Sequence, residues 1–354
     1  MRRALLSLLL TFPLLAQLPV GVSRVTFRDD LTDATYLAAT GDVLWVSSLL
    51  DDSIERVELG GVRTGLAIPP YWQLTSGFAV GPDGALWLGA SGWIARVDPA
   101  TNGFERWALG PGGGPTSILS GVDGNVWFLR GRSVVRMRPD GVFLSTYDAG
   151  GTPTDAAFGS DGALYLSLPG KLVRMTAAGE RTELPASPRR VLFAGTNFLW
   201  TVDLRSHDEA GLTPDQEMVR MSYRGETLAT YRIAMSPIAA DALGNLWLRA
   251  KTAEGDVVGQ LTPSGVLTRF GPLPSPVSTD CDPRSFGGFA FLSDGRVAMT
   301  DFYWIVARAF VGPCVGVSRP EGARNTITIL DPRLAPVLSV EVLERPTRRR
   351  TTRH

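Results

Sequence analysis

The chain has only two histidines among its 354 residues, and this scarcity limits the chemistry it can perform. A Ser-His-Asp triad and an H-E-x-x-H zinc site both need histidine beside defined partners. His354 ends an arginine-rich stretch, and His207 lies in the polar run 206–209 (SHDE), which favours a solvated loop over a lone catalytic base. Neither a G-x-x-x-x-G-K-S/T phosphate loop nor a D-x-D-x-D-G calcium loop occurs. None of these mechanisms is therefore expected.

The two cysteines, Cys281 and Cys314, lie in loop sequence rich in glycine and proline. In an oxidising compartment such a pair normally forms a disulfide, so we predict one between Cys281 and Cys314. A metal pair or a reactive thiol would need partners nearby in the sequence, and none is found there.

Residues 1–16 have the pattern of a secretory signal peptide. The segment starts with two arginines, continues as the apolar run 4–15 and ends at Ala16. The apolar run is too short to span a bilayer, which takes ~20 residues. We therefore expect export to the periplasm or the extracellular space with cleavage after Ala16; a retained N-terminal anchor is the alternative.

The composition favours a folded body that does not bind nucleic acid. Charged residues make up 20% of the chain and hydrophobic residues 44%, which is unlike a disordered protein. Residues 344–354 hold five arginines and one glutamate and are predicted to form a disordered basic tail. Since the whole chain is neutral and the signal adds two arginines, the body, residues 17–343, carries a formal net charge of −6. Adhesion of the tail to an acidic surface is a further alternative.

A short unit recurs along the body. It places a glycine-containing turn before an aliphatic residue and an aromatic one, as in residues 83–87 (DGALW), 123–127 (DGNVW) and 161–165 (DGALY). Weaker copies end at positions 45, 200, 247 and 298, so the seven copies have a mean spacing of about 42 residues. An aliphatic strand follows each copy. In the first five copies this strand carries one arginine: Arg56, Arg96, Arg136, Arg174 and Arg220.

The repeated unit has the features of one β-propeller blade. An Asp-Gly turn joins two strands because glycine accepts positive φ without steric cost. The runs after the turn are too continuously apolar for a surface strand, which indicates burial on both faces. Four strands in about 42 residues, each hiding its faces against a neighbour, predict an all-β, seven-bladed β-propeller of four-stranded antiparallel blades. The repeated tryptophans are predicted to pack between blades, and the arginines to bond a neighbouring turn.

An extra strand, residues 24–27 (RVTF), precedes the first repeat and resembles an outer blade strand. Such a strand could pair with the last blade and close the ring, either supplementing or replacing residues 338–342 (LSVEV), but the sequence does not decide whether it does.

Residues 81–87 (GPDGALW) and 121–127 (GVDGNVW), each followed by the arginine-bearing strand, resemble the virginiamycin B lyase (streptogramin lyase) family of propellers. The resemblance extends over residues 24–342. It implies seven blades and, in the family's lyases, a divalent metal, a histidine and a glutamate at one end of the central channel. The histidine lies eleven residues before the aromatic position, and the glutamate three residues after it.

This chain lacks both groups at those repeat positions. The first position reads Ala34, Ser76, Thr116, Thr154, Arg189, Ser236 and Gly287. The second reads Ser48, Ala90, Arg130, Leu168, Asp203, Ala250 and Asp301. The lyase reaction is therefore not expected to carry over.

The charged residues at these positions are the predicted channel-mouth ligands: Arg130, Arg189, Asp203 and Asp301. Such mixed charge suits a polar ligand, although the four side chains could simply pair with one another. Tyr71 and Trp72, in the connection between the first two repeats, could stack on a sugar or a peptide, or cap their blades.

We thus predict an exported propeller that acts as a ligand-binding or protein-interaction module without a cofactor. Its partner would be a small polar ligand, a glycan or a protein. The alternative is a lyase or hydrolase in which Asp203 and Asp301 hold a divalent metal such as Mg²⁺. The two carboxylates would then lie within ~5 Å of one point. A third interpretation is a structural surface protein held by its basic tail.

Overall fold

The computed structural model describes residues 18–26, 36–48, 53–66, 74–185, 191–203, 215–252, 255–273, 288–300 and 326–343. These residues form 29 strands in seven antiparallel sheets, and no helix is found among them. Accordingly, no helix in the described ranges could cross a bilayer. The predicted all-β, seven-bladed propeller is confirmed. The predicted signal peptide and basic tail, and the two cysteines, lie outside the described residues.

The first strand, β1 (Val22–Thr26), belongs to the last blade, and the four-stranded repeat starts after it. Blade 1 contains, from the channel outward, β2 (Tyr36–Thr40), β3 (Val43–Ser48), β4 (Ser53–Glu58) and β5 (Arg63–Leu66). Blade 2 contains β6 (Leu74–Val80), β7 (Leu86–Ala90), β8 (Trp93–Val97) and β9 (Phe104–Ala108). Blade 3 contains β10 (Ser117–Ser120), β11 (Val126–Arg130), β12 (Ser133–Met137) and β13 (Phe143–Asp148).

The remaining blades repeat this order with one addition. Blade 4 contains β14 (Asp155–Phe158), β15 (Leu164–Leu168), β16 (Lys171–Met175) and β17 (Arg181–Leu184). Blade 5 contains β18 (Val191–Ala194), β19 (Leu199–Asp203), β20 (Gln216–Met221) and β21 (Thr227–Ile233). Blade 6 contains β22 (Ser236–Ala240), β23 (Leu246–Thr252), β24 (Gly255–Leu261), β25 (Val266–Leu273) and β29 (Val337–Val342). Blade 7 contains β26 (Phe289–Phe291), β27 (Val297–Thr300), β28 (Thr326–Leu330) and β1.

The ring is closed by the N-terminal strand. β1 pairs antiparallel with β28, with Val22 opposite Leu330 and Thr26 opposite Thr326. The structure thereby decides the question that the sequence left open, and β1 takes the place of the C-terminal strand in blade 7. β29 instead becomes a fifth strand of blade 6, where it pairs with β25 and where Arg269 holds Glu341 at 2.5 Å.

The hydrophobic core is divided among the interfaces between blades. Seven buried clusters are found, and each joins two neighbouring blades, including one that joins blade 7 to blade 1. The repeated aromatic residues are at most 2% exposed and lie in these clusters: Trp45, Trp87, Trp127, Tyr165, Trp200 and Trp247. Because no blade covers its own faces, burial of apolar surface requires the whole ring. The predicted packing role of the tryptophans is confirmed.

Candidate functional site

The propeller has two ends that differ in their connections. Strands within a blade alternate in direction, so the turns after the first and third strands lie at one end. We call this the hairpin end; it includes turns 81–85, 121–125 and 159–163. The turn after the second strand and the link to the next blade lie at the opposite end. We call this the entry end; it includes turn 130–133 and loop 109–116.

At the hairpin end, the turn aspartates are compensated by nearby groups. Asp83 accepts hydrogen bonds from Trp87 Nε1 at 3.0 Å and from Arg96 Nε at 2.5 Å. Trp87 and Arg96 also stand directly opposite each other on β7 and β8, so the two sequence motifs meet as a cross-strand pair. Burial opposes ionisation of Asp83, but the hydrogen bonds from Arg96 and Trp87 outweigh it and hold the pKa of this carboxyl below its usual range.

The same arrangement recurs in the next two blades. Asp123 accepts from Trp127 Nε1 at 3.2 Å and pairs with Arg136 at 2.8 Å. Asp161 accepts from the Tyr165 hydroxyl at 3.1 Å and pairs with Arg174 at 2.8 Å. The predicted bond from the repeated arginine to a turn is thus confirmed in blades 2 to 4, where its partner is the turn aspartate itself.

At the entry end, Arg130 holds the loop between blades 2 and 3. Its Nε donates to Gly113 O at 2.8 Å and its Nη1 to Leu109 O at 2.6 Å. Its Nη2 donates to Gly110 O at 2.9 Å and Pro111 O at 2.6 Å. Four carbonyls therefore surround one guanidinium, while no carboxylate in the described part of the chain pairs with it.

The glycines of this loop permit the arrangement. Gly110 and Gly112 have φ of +74° and +117°, where a side chain is strained. A Cβ on Gly112 would lie 2.9 Å from Arg130 Nη2. The glycine run between blades 2 and 3 therefore lets the loop backbone fold closely around Arg130.

A groove of about 720 Å³ opens beside this loop, between blades 2 and 3. Its apolar lining comes from Leu109, Phe128, Val135 and Phe143. Its polar lining comes from the loop backbone and from Thr116, Arg130, Ser133 and Thr146. Arg130 is the single charged residue in that lining. A concave, mainly apolar surface with a few placed polar groups is typical of a ligand site, for which ~300–1,000 Å³ is usual.

A second feature of the entry end is Asp155, which the sequence reasoning missed. Asp155 begins β14 and is the only charged residue in the seven innermost strands. Its carboxylate accepts from Leu192 N in blade 5 at 2.7 Å and from its own neighbour Ala156 N at 2.8 Å. Burial raises the pKa of Asp155 to about 6 despite these two bonds, and among the described residues no cation lies beside it to favour ionisation.

The other predicted site residues are only partly covered by the structure. Asp203 ends β19, with its backbone paired opposite Glu217. Arg189, Asp301, Tyr71 and Trp72 lie outside the described residues, so ligand binding by the five remains a prediction. The separation of Asp203 and Asp301 likewise remains untested.

The residues at the two family positions do not fit the metal site of the lyases. Among those described, neither Thr116 and Thr154 nor Arg130 and Leu168 could replace the histidine or glutamate donors. No group of three or more His, Cys, Asp or Glu within the described ranges could hold a metal ion. We therefore derive no reaction step through a metal.

Comparisons with known proteins agree with this fold. No protein-family model and no curated protein matches the chain. The described residues form a seven-bladed β-propeller, and several solved structures are similar to this fold. It is similar to virginiamycin B lyase from Staphylococcus aureus, with a TM-score of 0.62, 19% identity, and 88% of this chain and 99% of that chain covered.

Two further structures give the same result. A streptogramin B lyase matches with a TM-score of 0.62 and 19% identity, covering 88% of this chain and 98% of that chain. The WD40 propeller domain of Doa1 matches with a TM-score of 0.61 and 13% identity, covering 89% and 98%. The resemblance inferred from the repeats is therefore confirmed for the fold.

Proposed function

We propose that this protein is an exported binding module, a lyase-like propeller that captures a ligand or a partner protein at its entry end. The observation that carries the proposal is the groove of about 720 Å³ between blades 2 and 3. Its loop is fixed by four hydrogen bonds from Arg130, so the binding surface is formed before a ligand arrives. Such preorganisation lowers the entropic cost of binding.

The enzymatic alternative has less support. The resemblance implies that the lyases have a histidine and a glutamate at two repeat positions. This chain has other residues at those positions. The remaining candidates, Asp203 and Asp301, would have to bind a divalent metal such as Mg²⁺ by themselves. Two carboxylates without further protein ligands form a weak site. We therefore do not propose lyase or hydrolase activity.

A thermal-shift screen of the mature body, residues 17–343, tests the proposal. The screen would include metals, glycans, peptides and streptogramins. We expect stabilisation by a member of the glycan or peptide classes, because a ligand that binds only the folded state raises the melting temperature. Stabilisation by a streptogramin together with Mg²⁺, with turnover of the streptogramin, would contradict the proposal. Stabilisation by no class would contradict it equally.

Export is a separate part of the proposal, supported by the signal-like residues 1–16. Expression of the full chain followed by cell fractionation and N-terminal sequencing tests it. We expect a mature protein that begins near Gln17, outside the cytoplasm. An uncleaved cytoplasmic chain would contradict export and leave the binding proposal in place.

A further inference from the structure

The groove between blades 2 and 3 carries an uncompensated positive charge. Among the described residues, Arg130 is bound only by carbonyl oxygens, which carry no formal charge. Asp148, across from Ser133 on the same blade, is already 3.8 Å from Arg132 and 3.7 Å from Arg181. The surroundings of the groove are therefore net cationic. A ligand with one negative charge would be electrostatically complementary to them.

The floor and sides of the groove are apolar. Phe128 and Val135 are buried at its base, where they also belong to the core between blades 2 and 3. Phe143 on the outer strand is 45% exposed and forms part of the rim. Phe143 and the half-buried Leu109 supply the apolar surface that is still exposed, and covering it would favour a ligand whose body is apolar. The charge and the apolar lining together indicate an apolar anion.

Polar groups along the groove distinguish a peptide from a hydrocarbon chain. The hydroxyls of Ser133 and Thr146 make no hydrogen bond within the described part of the protein, although both line the groove. In a trans peptide the C=O and N–H point in opposite directions. Since Pro111 O faces Arg130, the N–H group of Gly112, which lines the groove, points away from the guanidinium. A peptide backbone can bond such groups, whereas an acyl chain would leave them without partners.

We infer that the groove binds the C-terminal end of an apolar peptide, with its terminal carboxylate beside Arg130. The inference rests on the proposed binding function, because it names the ligand class and the location for that role. The volume of about 720 Å³ suits a short extended segment and excludes a folded domain.

The test measures binding of a labelled pentapeptide of alternating alanine and leucine by fluorescence anisotropy. The free-carboxylate peptide is compared with its C-terminal amide and with decanoate as competitor. We expect the carboxylate form to bind at least tenfold more tightly than the amide, and decanoate to compete poorly. Equal affinity of the two peptides would overturn the inference, and so would binding of decanoate without binding of peptide.

A pair of matched variants locates the site. Thr146→Trp places a large ring on the groove wall and should weaken peptide binding more than tenfold. Glu183→Trp is the control, because Glu183 stands opposite Val173 in blade 4 as Thr146 stands opposite Val135 in blade 3. Both residues are exposed on outer strands, so neither change should disturb the core. The control should bind the peptide as the wild type does.

The outcomes separate this inference from the proposed function. If the thermal-shift screen finds a ligand that stabilises the wild type and Thr146→Trp equally, the binding function stands and the groove assignment is wrong. If the wild type is stabilised by no class of ligand, both fail. Peptide binding that Thr146→Trp leaves unchanged would also overturn the groove assignment.

Discussion

The two ends of the propeller treat their charged groups in opposite ways. At the hairpin end, Asp83 and Asp123 each bond an arginine and an indole, and the pKa of each carboxyl is lowered although burial opposes ionisation. At the entry end, the partners of Asp155 within the described residues are backbone N–H groups alone, and burial raises its pKa to about 6. In the same part of the chain, Arg130 bonds only backbone carbonyls.

This difference indicates what each end does. Compensated charges add to folding stability and leave little for a ligand to bond. Charges that keep no counter-charge cost stability, and such groups concentrate at functional sites. The hairpin end therefore holds the blades together, whereas the entry end is the better candidate for binding. The predictions below test this contrast, from the largest expected effect to the smallest.

The largest effect is expected from the hairpin end. Trp127→Ala would leave a cavity in the core between blades 3 and 4, where Trp127 is 1% exposed. We expect the free energy of unfolding to fall by roughly 3–5 kcal/mol, measured by urea denaturation. Trp127→Phe is the control, which keeps most of the packing and loses only the bond to Asp123. A loss below about 1 kcal/mol in the alanine variant would contradict a supporting role for this end.

The entry-end carboxylate should behave in the opposite way. The pKa of Asp155 is about 6 in the folded state and 3.8 in the reference state. The folded state therefore binds the proton more tightly, and stability should fall as pH rises from about 4 to about 6. The linked loss is roughly 3 kcal/mol for about two pKa units.

Asp155→Asn removes this titration and retains an oxygen that can accept from Leu192 N. We expect the variant to be more stable than the wild type by up to roughly 3 kcal/mol above pH 6, with the difference vanishing below pH 4. Urea denaturation at pH 4, 5, 6 and 7.5 measures it. A variant that is less stable at pH 7.5 would show that the ionised carboxylate is compensated after all.

Asp123→Asn should give the contrary pH dependence. Its lowered pKa means that stability is present above pH 3.8 and is lost as pH falls through the folded-state pKa. At pH 7 we expect a loss of roughly 1–2 kcal/mol, because Arg136 and Trp127 lose a charged acceptor. The loss should shrink in acid. If both asparagine variants shifted stability in the same direction at pH 7, the contrast between the ends would be wrong.

The smallest effect is expected from the loop. Arg130→Lys keeps the positive charge but cannot bond four carbonyls, since lysine lacks the planar fork of arginine. We expect a global loss of only about 0.5–1 kcal/mol and faster amide hydrogen exchange at the two ends of the loop, where Leu109 N donates to Gly92 O and Thr116 N donates to Leu129 O. Arg132→Lys is the control, because Arg132 is largely exposed. Unchanged exchange in the Arg130 variant would mean that the loop is held by other contacts.

Much of the fold could be predicted from local patterns. The spacing of the Asp-Gly turns predicted seven blades. Trp87 and Arg96 were recognised as members of two motifs that repeat with the same spacing. The structure adds that they are cross-strand partners. Residues 24–27 were recognised as a strand that could latch the ring, and β1 (Val22–Thr26) does so. The position of β29 in blade 6 could not be predicted, because its strand-like sequence would suit the edge of either blade.

The candidate site was less predictable. Counting repeat positions selected Thr154 and passed over Asp155, the next residue, although Asp155 is the one charged residue in its β14 segment (DAAF). Arg130 was selected as a ligand, but its four bonds to the loop carbonyls depend on how residues 109–113 fold back. No spacing rule describes such a loop.

The sequence by itself determined the number of blades and the residues that pack between them. These properties depend on turns and strand patterns that repeat within about 42 residues, so each copy can be recognised alone. Only the tertiary structure decided which charges are compensated. Asp155 meets Leu192, and blade 7 meets β1, only after the ring forms. The groups that surround a charge are set by distance in space and not by distance along the chain.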